Sequence, residues 1–125
     1  MCRPMADIRP ADDIDFARFY GGVRVTGQWI GRALWRRRLL AGFGCVIETA
    51  EGEWMAFLEV PTEARKPFIF RHILKVMAEV KKRGARTIRA TCDTSIPRAE
   101  ALMTKLGFKP TDETLDGKAI WKWDS

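Results

Sequence analysis

The side chains that could transfer a proton or attack a carbonyl are few, and most of them lie at the ends of predicted strands. Glu59 ends an almost continuously apolar segment, and Cys92 and Asp93 end a shorter one. A carboxylate at such a position can act as a general base and a thiolate as a nucleophile. Each residue type also has a structural interpretation: a solvated carboxylate for Glu59 and a small buried apolar side chain for Cys92. The sequence alone leaves both interpretations open.

The histidine and cysteine content disfavours a metal site. The one histidine, His72, sits between apolar neighbours on a predicted helix, which favours a partly buried structural role. The three cysteines Cys2, Cys45 and Cys92 have neither Cys-x-x-Cys spacing nor the pattern of a disulfide framework. We therefore expect reduced thiols in a cytoplasmic protein and no metal.

The charge balance is strongly basic, with a net charge of +6 and a pI near 9.6. Such a balance is typical of proteins that bind nucleic acid or a phosphate-bearing cofactor, and it is equally compatible with a solvated surface that has excess lysine and arginine. The five tryptophans and the run Arg36-Arg37-Arg38 could stack on nucleic acid, but most tryptophans fall at strand alternation positions. Nucleic acid is thus an open partner but not a favoured one.

No membrane partner or export is expected. No apolar run approaches the ~20 residues that a membrane span needs. The first residues lack an apolar signal core.

Hydrophobic periodicity places the candidate residues in one α/β (α+β) domain, residues 1–125. The predicted order is strand, helix, three strands, long helix, strand, helix and hairpin. A buried strand, a crossover helix and a second strand form a right-handed unit within a mixed sheet of about six to seven strands. The predicted segments are residues 8–10, 12–20, 23–34, 39–49, 54–60, 67–83, 87–92, 95–106, 108–114 and 118–123.

Local signals at the segment ends predict how the elements begin and stop. Ser95 is the expected N-cap of the last helix, and Gly107 is the left-handed residue that ends it. Gly42 and its neighbours predict a bulge or a close backbone approach. Residues 36–38 are expected to form a basic turn, and Asp116-Gly117 predicts a two-residue hairpin turn.

The closing segment resembles a known family. It reads Ala99-x-x-Leu102-x-x-x-Leu106-Gly107-Phe108 and runs into the terminal hairpin. With the element order of essentially the whole chain, it resembles the GCN5-related N-acetyltransferases (GNAT). In particular it is similar to short phage- and prophage-associated members, in which the central strand ends in Pro-x-Glu-Ala-Arg, here residues 61–65. For such a protein, the host cytoplasm or a virion is the expected location.

The resemblance implies a site for acetyl-CoA. In the family the cofactor lies in a V between the central strand and the strand that follows the long helix. Here the V would lie between residues 57–60 and residues 89–93. The resemblance thus assigns Leu58, Val60 and Asp93 to cofactor binding.

The phosphate-binding loop departs from the family pattern Arg/Gln-x-x-Gly-x-Gly/Ala. Glycines there let backbone amides approach phosphate oxygens at a helix N-terminus. Aligned from Arg65, the chain carries Phe68 and Phe70 at both glycine positions. Arg65, Lys66 and Arg71 would attract phosphates as point charges, although Arg65 and Lys66 would also suit a solvated loop. By position, all five residues are assigned to the cofactor site.

Two further family positions also differ. An Asn that reaches toward the cofactor is replaced by Ile96, and the Tyr that often protonates the leaving thiolate is replaced by Met103. Neither side chain can donate a proton. Tyr20, the one tyrosine, lies on the first helix and offers no obvious substitute. Glu59 is the candidate catalytic base toward an amine.

The implied function is therefore an N-acetyltransferase that transfers acetyl from acetyl-CoA to a small-molecule or protein amine by direct attack. The alternative is a catalytically degenerate GNAT-fold phage or prophage protein that acts as a binding or structural component. Binding of another acyl-CoA or phosphate ligand without turnover lies between the two. A homodimer is left open.

Overall fold

The structure, a computed structural model, describes residues 6–23, 25–60, 67–93, 95–96 and 98–125, with the side chains of residues 6, 67 and 68 left out. Its strands form one mixed seven-stranded sheet in the order β1-β2-β3-β4-β5-β7-β6, which confirms the predicted α/β class and strand count. The elements are β1 (Ala6–Pro10), α1 (Asp13–Phe19), β2 (Trp29–Arg36), β3 (Leu39–Ala50), β4 (Glu53–Glu59), α2 (Pro67–Lys82), β5 (Thr87–Cys92), α3 (Ala99–Lys105), β6 (Lys109–Leu115) and β7 (Lys118–Asp124).

Helices cover both faces of the sheet, and alternate side chains of each strand belong to opposite faces. We call the face under α2 and α3 the α2 face; its main core includes Val46, Trp54 and Ile88. The opposite face, the α1 face, has a smaller aromatic core in which Phe16 of α1 packs against Phe43 of β3. No helix of the described residues is long and apolar enough to cross a membrane.

The two central strands, β4 and β5, run parallel and then separate. They pair from Glu53 and Thr87 as far as Ala56 and Ala90. Beyond that point β4 continues on β3 alone, and β5 continues on β7 alone. The sequence placed the start of the separation at Arg89, but Arg89 and Ala90 still pair with Met55 and Ala56, so the opening begins two residues after Arg89.

Two predicted boundaries were wrong in the second strand. β2 begins at Trp29 rather than residue 23, since the Trp29 indole donates to Asp13 Oδ1 at 2.8 Å and its ring packs on Phe16. The basic turn contains only residues 37 and 38, because Arg36 still pairs in β2 and Arg37 takes the positive φ of +58°. The register shift beside Gly42 confirms the predicted irregularity in β3.

The last helix starts later than predicted. Arg98 is its N-cap, with φ +67° and no side-chain cap, and the helix begins at Ala99. Ser95 instead donates from its amide and its hydroxyl to Asp93 Oδ1, at 3.0 and 2.6 Å. The hydrogen bonds to the Asp93 carboxylate therefore replace the cap that Ser95 was predicted to form.

The end of α3 confirms the prediction for Gly107, which has φ +90°. The Phe108 amide donates to the Met103 carbonyl at 2.9 Å, and the Gly107 amide donates to Thr104 at 3.0 Å. These two bonds are the Schellman pair that satisfies the last carbonyls of a helix. They fix the direction in which the chain enters β6.

Candidate functional site

A cavity of about 260 Å³ occupies the place where β4 and β5 separate. Four of the assigned residues, Leu58, Glu59, Val60 and Asp93, lie in its wall, so both strands of the V border the same cavity. The rest of the wall near the opening comes from three elements: Thr91 and Cys92 of β5, Ile69, His72 and Ile73 of α2, and Leu102 and Met103 of α3.

The cavity reaches both faces of the sheet. Leu58 belongs to the α2 face, whereas its neighbours Phe57 and Glu59 belong to the α1 face, and all three line the space. Because no strand of the described residues fills the gap beyond Ala56 and Ala90, the sheet itself is open there. A group bound from one face can therefore meet a group bound from the other.

The backbone of β4 presents a hydrogen-bond donor to this opening. The Glu48 amide donates to the Gln28 carbonyl across to β2 at 2.9 Å. Successive residues of an antiparallel strand direct their backbone N–H and C=O groups to alternate sides, so Cys45, three residues before Glu48, directs its groups towards β4. Its partner Phe57 therefore directs its own N–H and C=O groups towards β3. The next amide, that of Leu58, is consequently directed to the open side. Such a donor can polarise a carbonyl oxygen.

On the α1 face, Glu59 lies beside two neutral acidic groups. The Tyr20 hydroxyl is buried, and its polar neighbours are the Cys45 thiol and the Glu59 carboxylate. Burial, with the charges of Cys45 and Glu59, raises the pKa of Tyr20 far above its ordinary value. Burial likewise raises the pKa of Cys45 to about 12, although the Tyr20 hydroxyl opposes that rise. At neutral pH, Tyr20 and Cys45 therefore keep their protons.

Tyr20 is a residue that sequence reasoning dismissed. Its ring is held by Phe16 at 4.8 Å, Phe19 at 5.0 Å and Phe43 at 5.7 Å between centroids. This aromatic packing aims the hydroxyl at the end of β4. No sequence signal could have shown it, because β3 and β4 are distant from α1 along the chain.

The two cysteines that the structure describes, Cys45 and Cys92, are not activated as nucleophiles. Cys92 is only 4% exposed. Burial, with the charges of Glu100 and Asp93, raises its pKa. A protonated buried thiol is a small apolar side chain, which agrees with the structural interpretation of Cys92. Among the described residues no group of three His, Cys, Asp or Glu could hold a metal ion.

The α3 side of the cavity is apolar. Ile96 and Met103 line it at the positions where the family pattern has Asn and Tyr. Met103 is 8% exposed and packs into the main core. Neither residue can supply a proton to a leaving group.

The histidine lies on the α2 side of the cavity, next to a residue that the sequence analysis did not single out. His72 is partly buried, as expected, but it lines the cavity together with Arg32 of β2. Burial, then the charges of Arg32 and Lys75, lower the pKa of His72. The imidazole is thus neutral at physiological pH.

The predicted phosphate loop falls mostly outside the described residues, which exclude Arg65, Lys66 and the side chain of Phe68. Phe70 does not line the cavity; its ring lies under the Lys105 ammonium, at 5.0 Å. Arg71 is exposed and also points away. Helical periodicity explains this, because the α2 residues that line the cavity are 69, 72, 73, 76 and 77. That placement argues against assigning Phe70 to the cleft.

Comparison with known proteins identifies the fold. A Bacillus subtilis acetyltransferase in complex with CoA has a TM-score of 0.61 at 17% identity, covering 96% of this chain and 99% of that one. A Sinorhizobium meliloti phosphinothricin acetyltransferase in complex with AcCoA has a TM-score of 0.63 at 16% identity, covering 97% and 89%. A GCN5-related N-acetyltransferase from Kribbella flavida has a TM-score of 0.65 at 13% identity, covering 97% and 98%.

No family model and no curated protein matches the sequence. The structural likeness extends over essentially the whole chain. It shows that this protein has the GNAT fold.

Proposed function

We propose that this GNAT-fold protein is an acetyl-CoA-dependent N-acetyltransferase. The observation that carries the proposal is the opening between β4 and β5, which combines a directed amide donor at Leu58 with a carboxylate at Glu59. The opening forms a cavity of about 260 Å³ that reaches both faces of the sheet. An acyl donor on the α2 face and an amine on the α1 face would meet within it.

Each group of the β4 end has a defined role in this proposal. Acetyl-CoA would supply an activated thioester. The Leu58 amide would donate to the thioester oxygen, which becomes more negative as the amine attacks. Glu59 would accept the proton that the amine nitrogen releases as the new C–N bond forms and the C–S bond breaks. Since Tyr20 keeps its proton, it would position Glu59 or the amine by hydrogen bonding.

Phosphate binding would depend on charge rather than on glycine loops. α2 has no acidic residue in its first turn, so its N-terminal end favours an anion. Arg65, Lys66 and Arg71 precede or follow that end and would add positive charge. The proton for the departing thiolate would come from solvent, because the α3 side offers Met103 and Ile96 instead of a donor.

The second candidate function is binding without turnover, and the apolar α3 side favours it. A protein with the same opening but no general acid could hold an acyl-CoA as a ligand. In that case the cofactor would bind and remain intact.

Calorimetry with acetyl-CoA and CoA tests the binding step, and release of free thiol in the presence of amines tests turnover. Leu58→Pro removes the directed N–H, whereas Leu58→Ala shortens the side chain and keeps it. We expect Leu58→Pro to weaken acetyl-CoA binding at least about tenfold more than Leu58→Ala does, as for one lost hydrogen bond to a charged or polarised oxygen. Lys66→Ala and Arg65→Ala should weaken CoA and acetyl-CoA equally.

The outcomes separate the candidates. Binding with thiol release supports the enzyme, and binding without thiol release for any amine tested supports the ligand-binding alternative. No binding of either compound at millimolar concentration rejects both.

A further inference from the structure

A basic side chain that forms no salt bridge with a described residue lies on the α2 face beside the cavity. Arg32 is half-buried and lines the cavity wall. The one hydrogen bond that its side chain makes within the described chain goes from Nη1 to the carbonyl of the preceding residue, Gly31, at 3.2 Å. No carboxylate of the described residues forms a salt bridge with it. A partly desolvated guanidinium with unused donors is a typical anion-binding group.

His72 lies above Arg32 on α2 and also has an unused polar atom. Its Nδ1 is buried and finds no hydrogen-bond partner among the described residues. Buried polar atoms in folded proteins are nearly always paired, so an unpaired one that borders a cavity suggests a missing ligand. Arg32 and His72 come from opposite sides of the same space, the sheet and the helix.

Gly44 and Leu58 continue the row of Arg32 towards the open strand end. Across the sheet, Arg32 pairs with Gly44 and Gly44 pairs with Leu58, so the three residues form one row on the α2 face. A Cβ at position 44 would lie 3.2 Å from Leu58 Cδ1, so the Leu58 side chain packs over the Gly44 backbone. The row therefore connects Arg32, through Gly44 and Leu58, to the strand end that borders the cavity.

We propose that Arg32 and His72, which line the cavity from the sheet and from α2, form a subsite for a carboxylate of the substrate. This inference rests on the proposed function, because it names the chemistry of the molecules that the same cavity takes. The fork of the guanidinium can hold both carboxylate oxygens, and the imidazole adds one further hydrogen bond. The carboxylate would come from either the acyl group of the donor or the acceptor amine.

The surrounding charges agree with an anion at this place. Lys75, one turn along α2, adds a positive charge near His72. The acidic residues of the cavity are elsewhere: Glu59 belongs to the α1 face, and Asp93 on the far strand accepts from Ser95. The field at the subsite is therefore positive.

The first test is an NMR titration of His72 with sodium propionate. Because His72 is the only histidine of the chain, its imidazole signals need no assignment by mutation. A bound carboxylate favours the imidazolium, so propionate should raise the pKa of His72 by about one unit, whereas propionamide and sodium chloride at equal ionic strength should not. An unchanged titration curve of His72 in about 0.1 M propionate would overturn the proposal.

Three variants define the contribution of Arg32. Arg32→Met should weaken propionate binding at least about tenfold, and Arg32→Lys, which keeps the charge but loses the fork, should give an intermediate loss. Arg38→Met makes the same change in the exposed turn of the same hairpin, so it should bind like the wild type. Equal losses in Arg32→Met and Arg38→Met would show a general charge effect and contradict the subsite.

Matched substrates identify the source of the carboxylate. Succinyl-CoA and butyryl-CoA differ at the end of the acyl chain by a carboxylate in place of a methyl group, and leucine and leucinamide differ by the acceptor carboxylate. Arg32→Met should abolish the preference for the carboxylate-bearing member of one pair. It should leave the affinity for CoA within about twofold, whereas an equal loss for CoA would place the cofactor phosphates in the subsite and overturn the inference.

The two proposals fail separately. Acetyl-CoA binding without any propionate effect leaves the acetyltransferase proposal standing and rejects the subsite. A propionate effect that Arg32→Met removes, in a protein that binds no CoA, supports the subsite and rejects the acetyltransferase.

Discussion

The two halves of β4 differ in how many neighbours they have. Residues 53–56 pair with β3 on one side and β5 on the other, whereas residues 57–59 pair with β3 alone. Trp54 in the first half is 1% exposed, and Glu59 at the end of the second is exposed. Losing one neighbouring strand therefore changes the same strand from a packing element into a surface with free donors and accessible side chains.

The comparison also separates what the backbone supplies from what side chains supply. The directed amide of Leu58 follows from strand pairing and would survive most substitutions at that position. Proton transfer requires particular side chains, and only Glu59 of β4 can accept a proton there. Opposite it, Met103 of α3 provides packing alone.

The largest expected effect is on activity in the open half. Glu59→Gln should lower kcat by about 10²–10⁴-fold, because the base is lost. Its free energy of unfolding should change by less than about 0.5 kcal/mol, because the side chain is exposed. Glu53→Gln is the matched control in the paired half, where the carboxylate instead binds Arg89 at 3.2 Å. Steady-state kinetics that find equal losses in both variants would remove Glu59 from catalysis.

The next effect is on stability in the paired half. Trp54→Ala should lower the free energy of unfolding by about 3–5 kcal/mol, since it removes the largest fully buried side chain of the core. Trp54→Phe should cost less, because it keeps most of the apolar volume and deletes an indole N–H that has no partner within the described structure. Urea unfolding measures both. A Trp54→Ala loss below about 1 kcal/mol would contradict the structural role of this half.

A smaller effect should follow from adding a proton donor to the apolar side. Met103→Tyr places a phenol where thiolate protonation would be useful, and we expect kcat to rise by up to about tenfold, which is below the usual range of general acid effects. Met103→Phe controls for the ring itself and should show no gain. If both variants slow the reaction equally, packing at this position outweighs chemistry.

The smallest effect concerns alkaline stability on the α1 face. A free thiol ionises near 9, and burial raises the pKa of Cys45 to about 12 in the folded protein. The folded state thus binds the proton more tightly. The stabilisation is complete below pH 9 and is lost as the pH rises from 9 towards 12. Stability curves of wild type and Cys45→Ala should converge over that interval, and parallel curves would contradict the buried thiol.

Much of the architecture could be predicted from local patterns. β5 spans the predicted Thr87–Cys92, and α2 begins at the predicted Pro67, because regular alternation and a proline at a first helical turn are local properties. The predicted Ser95 cap was wrong because a second local interaction competes with it: the amide and the hydroxyl of Ser95 both donate to Asp93. The start of β2 was wrong because contacts between Trp29 and α1 decide it.

The candidate site divides in the same way. The family resemblance placed Leu58 and Asp93, and the position at a strand end placed Glu59, because these residues lie at the ends of strands whose order is recognisable in the sequence. Tyr20 and Arg32 could not be found, because their positions at the site depend on aromatic packing and on the pairing of β2, β3 and β4.

By itself the sequence determined the elements, their order and the GNAT architecture, since hydrophobic period and helix-ending glycines act within short segments. Only the tertiary structure decided where β4 and β5 part and which side chains meet in the opening. The physical reason is that a cavity and its charges depend on register between strands that are far apart in the chain, and a shift of one residue would turn each side chain to the opposite face.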